Sequence, residues 1–442
     1  MQHSCIWRGN IYICKCNLVA LSSFHKQIKG IRMEKKIKMK KTIKKLLWLT
    51  GVVVAISSCS NDTSVNSNNT LHDATKEYEY LRMIVSDEKT NDITYINLHD
   101  DKIINFTGKF PQSAVYTSGS GRFAAIVHRS NNLVETFDVG LEWHGNHVDS
   151  KGDPKFGLMV GNSAMPTHFK GKNGELLFFN DGDATLSRGY ETDVNKQSTM
   201  ETINAGLIAH HGAMAHFSNE TYAVTLKDNT VAGVLPERVI VIDKSGKSIH
   251  ESTIATAGIH GNATNGTNAV FGSASGILVV NSNGTQRLIP HPAGFDKAWF
   301  GTILETSLEN KFIGYTAAKG AYLIDIATDS VTPLLESTDI MQCKTSYDLS
   351  KLGVLLHSGE LKIIDLSTKA TLLNGQIIAA TEKTSKQKPQ MELSSKFIYT
   401  TSPLTGEIQK TQIAAPYTVT KIKVSATPYR LTILGYESND SH

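Results

Sequence analysis

Cysteine is scarce in this chain, with five residues in 442, and three of them (Cys5, Cys14, Cys16) precede Met39. The body therefore carries no disulfide framework and no paired-cysteine zinc motif. A helical apolar period is missing from every window outside the short hydrophobic run at 46–56, which excludes a helical bundle. No basic stripe with interleaved aromatics runs through the body, so nucleic acid is not an expected partner. The formal charge of +4 is misleading, because eight basic residues against one acid crowd between Arg32 and Lys45. Recognisable hydrolase signatures are missing as well. Gly272-Ser273-Ala274-Ser275-Gly276 has alanine where a nucleophile elbow needs serine, and it precedes a strand. Asn180-Asp181-Gly182-Asp183 is too short for an EF-hand loop and reads as a β-turn.

What is present begins with an export signal. Met39-Lys40-Lys41 opens a basic segment, Leu46 to Ile56 is an apolar run of secretory length, and Ile56-Ser57-Ser58-Cys59 closes it with small residues before a cysteine. This resembles a bacterial lipobox. Cleavage would leave Cys59 as a lipid-bearing N-terminus, and Cys343 as the one cysteine of the body. The expected organisation is upstream sequence and signal peptide over 1–58, a flexible tether rich in Asn, Ser, Thr and Asp over 59–77, and a folded domain over 78–437. The expected location is the periplasm, with the domain held at an envelope membrane by its lipid.

From Arg82 onward the chain is a succession of short β-branched and aromatic runs bounded by turn residues. An apolar run closing on Asp or Asn recurs at Asn97, Asp138, Asp243, Asn281, Asp325 and Asp365, with weaker copies near Arg188 and Gln409. A period of about 40–45 residues with four strands per unit is the signature of a β-propeller. The fold expected is all-β, a propeller of eight four-stranded blades, with seven as the alternative. The first unit supplies three strands and the segment Tyr429 to Tyr436 a fourth, so pairing of the N- and C-terminal strands closes the ring. A pair of β-sandwiches would not keep this period.

The sixteen histidines are unevenly spread. His168, His211 and His260 fall at equivalent places in consecutive units, each near the start of an innermost strand. His210 adjoins the second of them. Trp143-His144-Gly145-Asn146-His147-Val148-Asp149 is read as the connection from one blade's outer strand to the next inner strand, which would put His144, His147 and Asp149 on the same face. Three imidazoles completed by a carboxylate or water suit zinc in a tetrahedral shell, although copper and nickel also accept imidazole.

The ordered series His144-Gly145-Asn146-His147-Val148-Asp149, Pro166-Thr167-His168, Phe179-Asn180-Asp181-Gly182, His210-His211-Gly212, Ile259-His260-Gly261 and Gly314–Tyr322 resembles the AztD-type periplasmic zinc metallochaperones. The resemblance spans about half the chain. It implies a propeller that binds zinc and hands it to the solute-binding protein of a zinc-importing ABC transporter. Positions near Thr256 and Ser273 lack the cysteines of the family, Asn262 replaces its glutamate, and its acidic, histidine-rich N-terminal segment has no counterpart beyond His72. Two other readings remain on sequence grounds. One is a zinc-dependent hydrolase using Asp149 or Asp181 as base. The other is a metal-free interaction module.

Overall fold

The computed structural model of the protein describes residues 75–440. The signal segment, Cys59 and His72 lie outside them. Among the described residues there are eight four-stranded antiparallel sheets, one two-stranded hairpin and two short 3-10 turns. No helix there is long and apolar enough to cross a membrane.

We number the blades in chain order. The innermost strand of blade 1 is the C-terminal Pro428–Gly435, and those of blades 2 to 8 are Ala114–Thr117, Pro166–Lys172, Met214–His216, Ile259–Thr264, Thr302–Glu305, Ile340–Thr345 and Met391–Leu393. These strands neighbour one another around a central axis. Closure is as expected: Leu81–Asp87 pairs with Pro428–Gly435 from Leu81↔Gly435 to Asp87↔Pro428. Asp87 tightens the seam by accepting from Thr427 N at 2.6 Å and Thr427 Oγ1 at 2.7 Å.

The strands pack on both faces because successive side chains point to opposite sides of a sheet. Leu177 and Phe179 meet Met214, Tyr222 and Val224 of blade 4, whereas Leu176 and Phe178 meet Phe123, Ala125 and Val127 of blade 2. Eight such apolar clusters join each blade to its neighbours. Each fully buried Leu, Ile or Phe contributes about 1.5–3 kcal/mol. That is why the second and third strands read as continuous apolar runs rather than alternating ones.

The repeat marker has a local cause. At all six strong positions the Asp or Asn ends a blade's third strand or, for Asp243, directly follows it, and its side-chain oxygen accepts the backbone N–H two residues on: Asn97 from His99, Asp138 from Gly140, Asp243 from Ser245, Asn281 from Asn283, Asp325 from Ala327 and Asp365 from Ser367. Each is an Asx turn that reverses the chain into the outermost strand. The sequence reading, in which the segment after Asp138 leaves an outer strand, thus puts this marker one strand too far out.

That offset moves the histidine hairpin. Leu141–His144 and His147–Ser150 form a two-stranded excursion between the third strand of blade 2, Leu133–Asp138, and its outermost strand, Lys155–Asn162. A connection from third to fourth strand emerges on the face where inner strands end. His144, His147 and Asp149 therefore stand on the opposite face from His168, His211 and His260, contrary to the placement expected from sequence.

Candidate metal centre

His168 and His260 sit near the starts of the innermost strands of blades 3 and 5, and His211 lies just ahead of that of blade 4. One nitrogen from each falls within 4.8 Å of the others. His168 Nε2 and His211 Nε2 are 3.4 Å apart, and the ring centroids are separated by 4.9, 5.9 and 5.2 Å for the pairs 168–211, 168–260 and 211–260.

Local irregularities aim these rings. The pairing of the first two strands slips between Pro166 and His168 in blade 3, and between Ile259 and Asn262 in blade 5, where Gly261 takes φ +73°. A β-carbon on Gly261 would lie 2.6 Å from Gly301 O. One on Gly212 would lie 2.3 Å from the Phe179 ring. The glycines after His211 and His260 thus let the mouth of one blade press against a neighbouring one, whereas His168 is followed by Phe169.

Two of the rings have fixed tautomers. His211 Nδ1 is 2.7 Å from Asp181 Oδ2, and His260 Nδ1 is 2.6 Å from Gly301 O. Both partners only accept, so both Nδ1 atoms carry the proton and each neutral ring keeps a lone pair on Nε2. Asp181 is held in turn by Arg129 Nη2 at 3.0 Å, and Arg129 Nε donates to Thr167 Oγ1 at 2.8 Å. Burial alone would raise the Asp181 carboxyl, but its bonds to His211, Arg129 and Thr167 outweigh that and bring it to about 2. His168 is lowered to about 3, first by burial and then by the neighbouring His211 and His260 rings. It is therefore neutral at physiological pH, as a metal ligand must be.

The remaining predicted residues lie elsewhere. His210 is 4% exposed and belongs to the core: Nδ1 bonds Ile208 O at 2.6 Å, Nε2 bonds Thr225 Oγ1 at 3.0 Å, and the ring packs on Phe179. His144, His147 and Asp149 form their own group on the far face, again with donor atoms within 4.8 Å of one another. Asn262 is buried and ties blade 5 to blade 4 through Met214 O at 2.6 Å. The Arg129–Asp181–His211 chain crosses three blades, and no sequence spacing announces it. The sequence pointed to Asp181 through the Asn180–Asp183 turn, the motif Phe179-Asn180-Asp181-Gly182 and its candidacy as a base, but not as the partner of His211.

A cleft of ≈ 420 Å³ opens beside His211, lined by Arg129, Asp181, Lys227, Gly233 and Val234, and another of ≈ 400 Å³ opens beside His260, lined by Leu235, Trp299 and Tyr315. The inserted excursion between Leu226 and Arg238 separates the two and is fixed to the mouth by His211 N donating to Val234 O at 3.1 Å. Below the histidines the axial cavity of ≈ 530 Å³ is lined by Lys170, Lys344 and Arg430 against Glu305 and Glu392.

Fold and site together define an eight-bladed propeller whose one mouth carries three converging imidazoles backed by a carboxylate. The same fold is seen in AztD of Citrobacter koseri, which superposes with a TM-score of 0.74 at 20% identity over 82% of this chain and 100% of that one. The apo form of Citrobacter koseri AztD gives 0.72 at 21% identity over 80% and 98%. A more distant match, the dihydro-heme d1 dehydrogenase NirN, gives 0.56 at 11% identity over 81% and 75%. No protein-family signature matches the chain, and neither does any curated protein.

Proposed function

We propose that this protein is a zinc-binding carrier of the bacterial cell envelope, not an enzyme, and that it passes Zn²⁺ to the solute-binding protein of a zinc-importing ABC transporter. The observation that carries the reading is the convergence of His168, His211 and His260. Two nitrogens bound to one tetrahedral zinc, each at about 2.0–2.1 Å, lie about 3.3–3.4 Å apart, and His168 Nε2 and His211 Nε2 are separated by 3.4 Å. Asp181 supports the reading as the carboxylate behind His211, since such a partner fixes the ring and raises its basicity.

Three protein ligands leave a fourth position open, as release of a cargo requires. Exchange would run through the outer mouth, where clefts open beside His211 and His260. Exposed Met165, Ile208 and Val234 stand on the rim of that mouth and suit a partner's apolar surface. The likeness in fold to AztD and the ordered sequence motifs support the same reading. A lipid on Cys59 would make this a tethered carrier at the periplasmic face of a membrane.

Competition against a chelating dye tests the site. Zinc affinity of the full chain should fall sharply in His211→Ala and be lost at this site in His168→Ala/His211→Ala. An unchanged affinity in the double variant overturns the reading.

A further inference from the structure

The hairpin on the opposite face carries a second set of donors. His144 and His147 are directly paired across its two strands, as are Glu142 and Asp149. Residues two apart on a strand share a face, so all four side chains stand on one side of the hairpin. His147 Nε2 is 3.1 Å from Asp149 Oδ1, His144 Nδ1 is 3.5 Å from Asp149 Oδ2, and the two rings meet edge to face at 5.4 Å.

The other side of the hairpin holds it still. Val148 is buried, Trp143 packs on Tyr436, and Val148 N donates to Asp440 O at 3.1 Å. The two-residue turn is set by Gly145 at φ +62° and clamped by Trp143 Nε1 donating to Gly145 O at 3.0 Å. Pre-placed donors lose little freedom on binding an ion. One cation already sits at the carboxylates: Lys151 Nζ lies 3.1 Å from Asp149 Oδ2 and 3.2 Å from Glu142 Oε2.

We infer that His144, His147 and Asp149 form a second, separate site for a divalent zinc-type cation. Two imidazoles and a carboxylate are a recognised zinc donor set. The site is weaker than the three-histidine mouth, because His144 is largely exposed and the ion must displace the Lys151 ammonium from Asp149. It does not depend on the carrier reading, since its residues lie on the other face.

Calorimetric titration of the untagged, metal-stripped full chain with Zn²⁺ alone tests it. The wild type should take up a tight and a weaker equivalent. His144→Gln/His147→Gln should lose the weaker one and keep the tight one, while His168→Ala/His211→Ala should do the reverse. Lys151→Met should strengthen the weaker equivalent and leave the other unchanged. If zinc uptake survives His168→Ala/His211→Ala and disappears in His144→Gln/His147→Gln, the hairpin site stands and the carrier reading falls. Uptake unaltered by His144→Gln/His147→Gln overturns the hairpin site. Circular dichroism on each variant separates loss of ligands from loss of fold, which an exposed hairpin substitution should not disturb.

Discussion

His211 shows how one side chain is prepared for its task by residues far from it in sequence. Its Nδ1 proton is committed to Asp181, and Asp181 is fixed by Arg129 of the blade before. Removing the charge from that carboxylate should weaken zinc without removing a ligand. Asp181→Asn is expected to cost about 10- to 100-fold in affinity, the usual effect of losing an orienting partner. Dye competition reads it directly, and a change below twofold would deny Asp181 the role. Proton competition gives a second expectation at this scale. Free imidazole titrates near ~6.5, and a bound metal drags the apparent midpoint lower, so zinc should leave between roughly pH 6 and 4.5. A site dominated by carboxylates would hold its metal until about pH 4. The fold must be followed by circular dichroism through the same titration.

At the scale of elements, two features differ in how far the sequence revealed them. The Asp or Asn marker was visible as a repeat, because six of the eight blades make the same Asx turn after the third strand. Which strand it ends was not visible, because four short strands per unit can be counted from either edge. Assigning it one strand too far out sent the hairpin of His144, His147 and Asp149 to the wrong face. His168, His211 and His260 were legible because innermost strands start at nearly the same place in each unit. Arg129 and Asp181 meet through turns of different blades, so neither spacing nor periodicity could pair them. His210 shows the converse error, a histidine beside the site that the core absorbs through Thr225.

The closing strand carries its own titration. Glu437 follows it and accepts from Ser395 N of blade 8 at 2.6 Å. Burial, with Asp348 and Glu77 adding repulsion, raises its carboxyl from the ordinary 4.5 to about 7 against the bond from Ser395. The folded protein therefore keeps a proton there that the unfolded chain loses above pH ~4.5. Between about 4.5 and 7 the folded state binds more protons, so this group's contribution to stability falls as pH rises. Glu437→Gln should flatten that part of the stability profile, read as the difference in urea midpoints between pH 5 and pH 8. An identical slope in wild type and variant would contradict the assignment.

The molecule as a whole turns eight weakly distinctive units into one ring. No blade could bury both of its faces alone, and each does so only against its neighbours. Pairing of Pro428–Gly435 with Leu81–Asp87 gives blade 1 its innermost strand and joins the two ends of the ring. The ring is also what creates the centre: three adjacent blades each bring one imidazole to a common point, while the charged cavity beneath them faces the axis. The central claim is that this point holds zinc. Anomalous scattering at the zinc edge, from a crystal of the protein grown with Zn²⁺, tests it most directly. The account predicts a peak at bonding distance, about 2.0–2.1 Å, from nitrogens of His168, His211 and His260. A crystal with zinc elsewhere and none among these three histidines would contradict it.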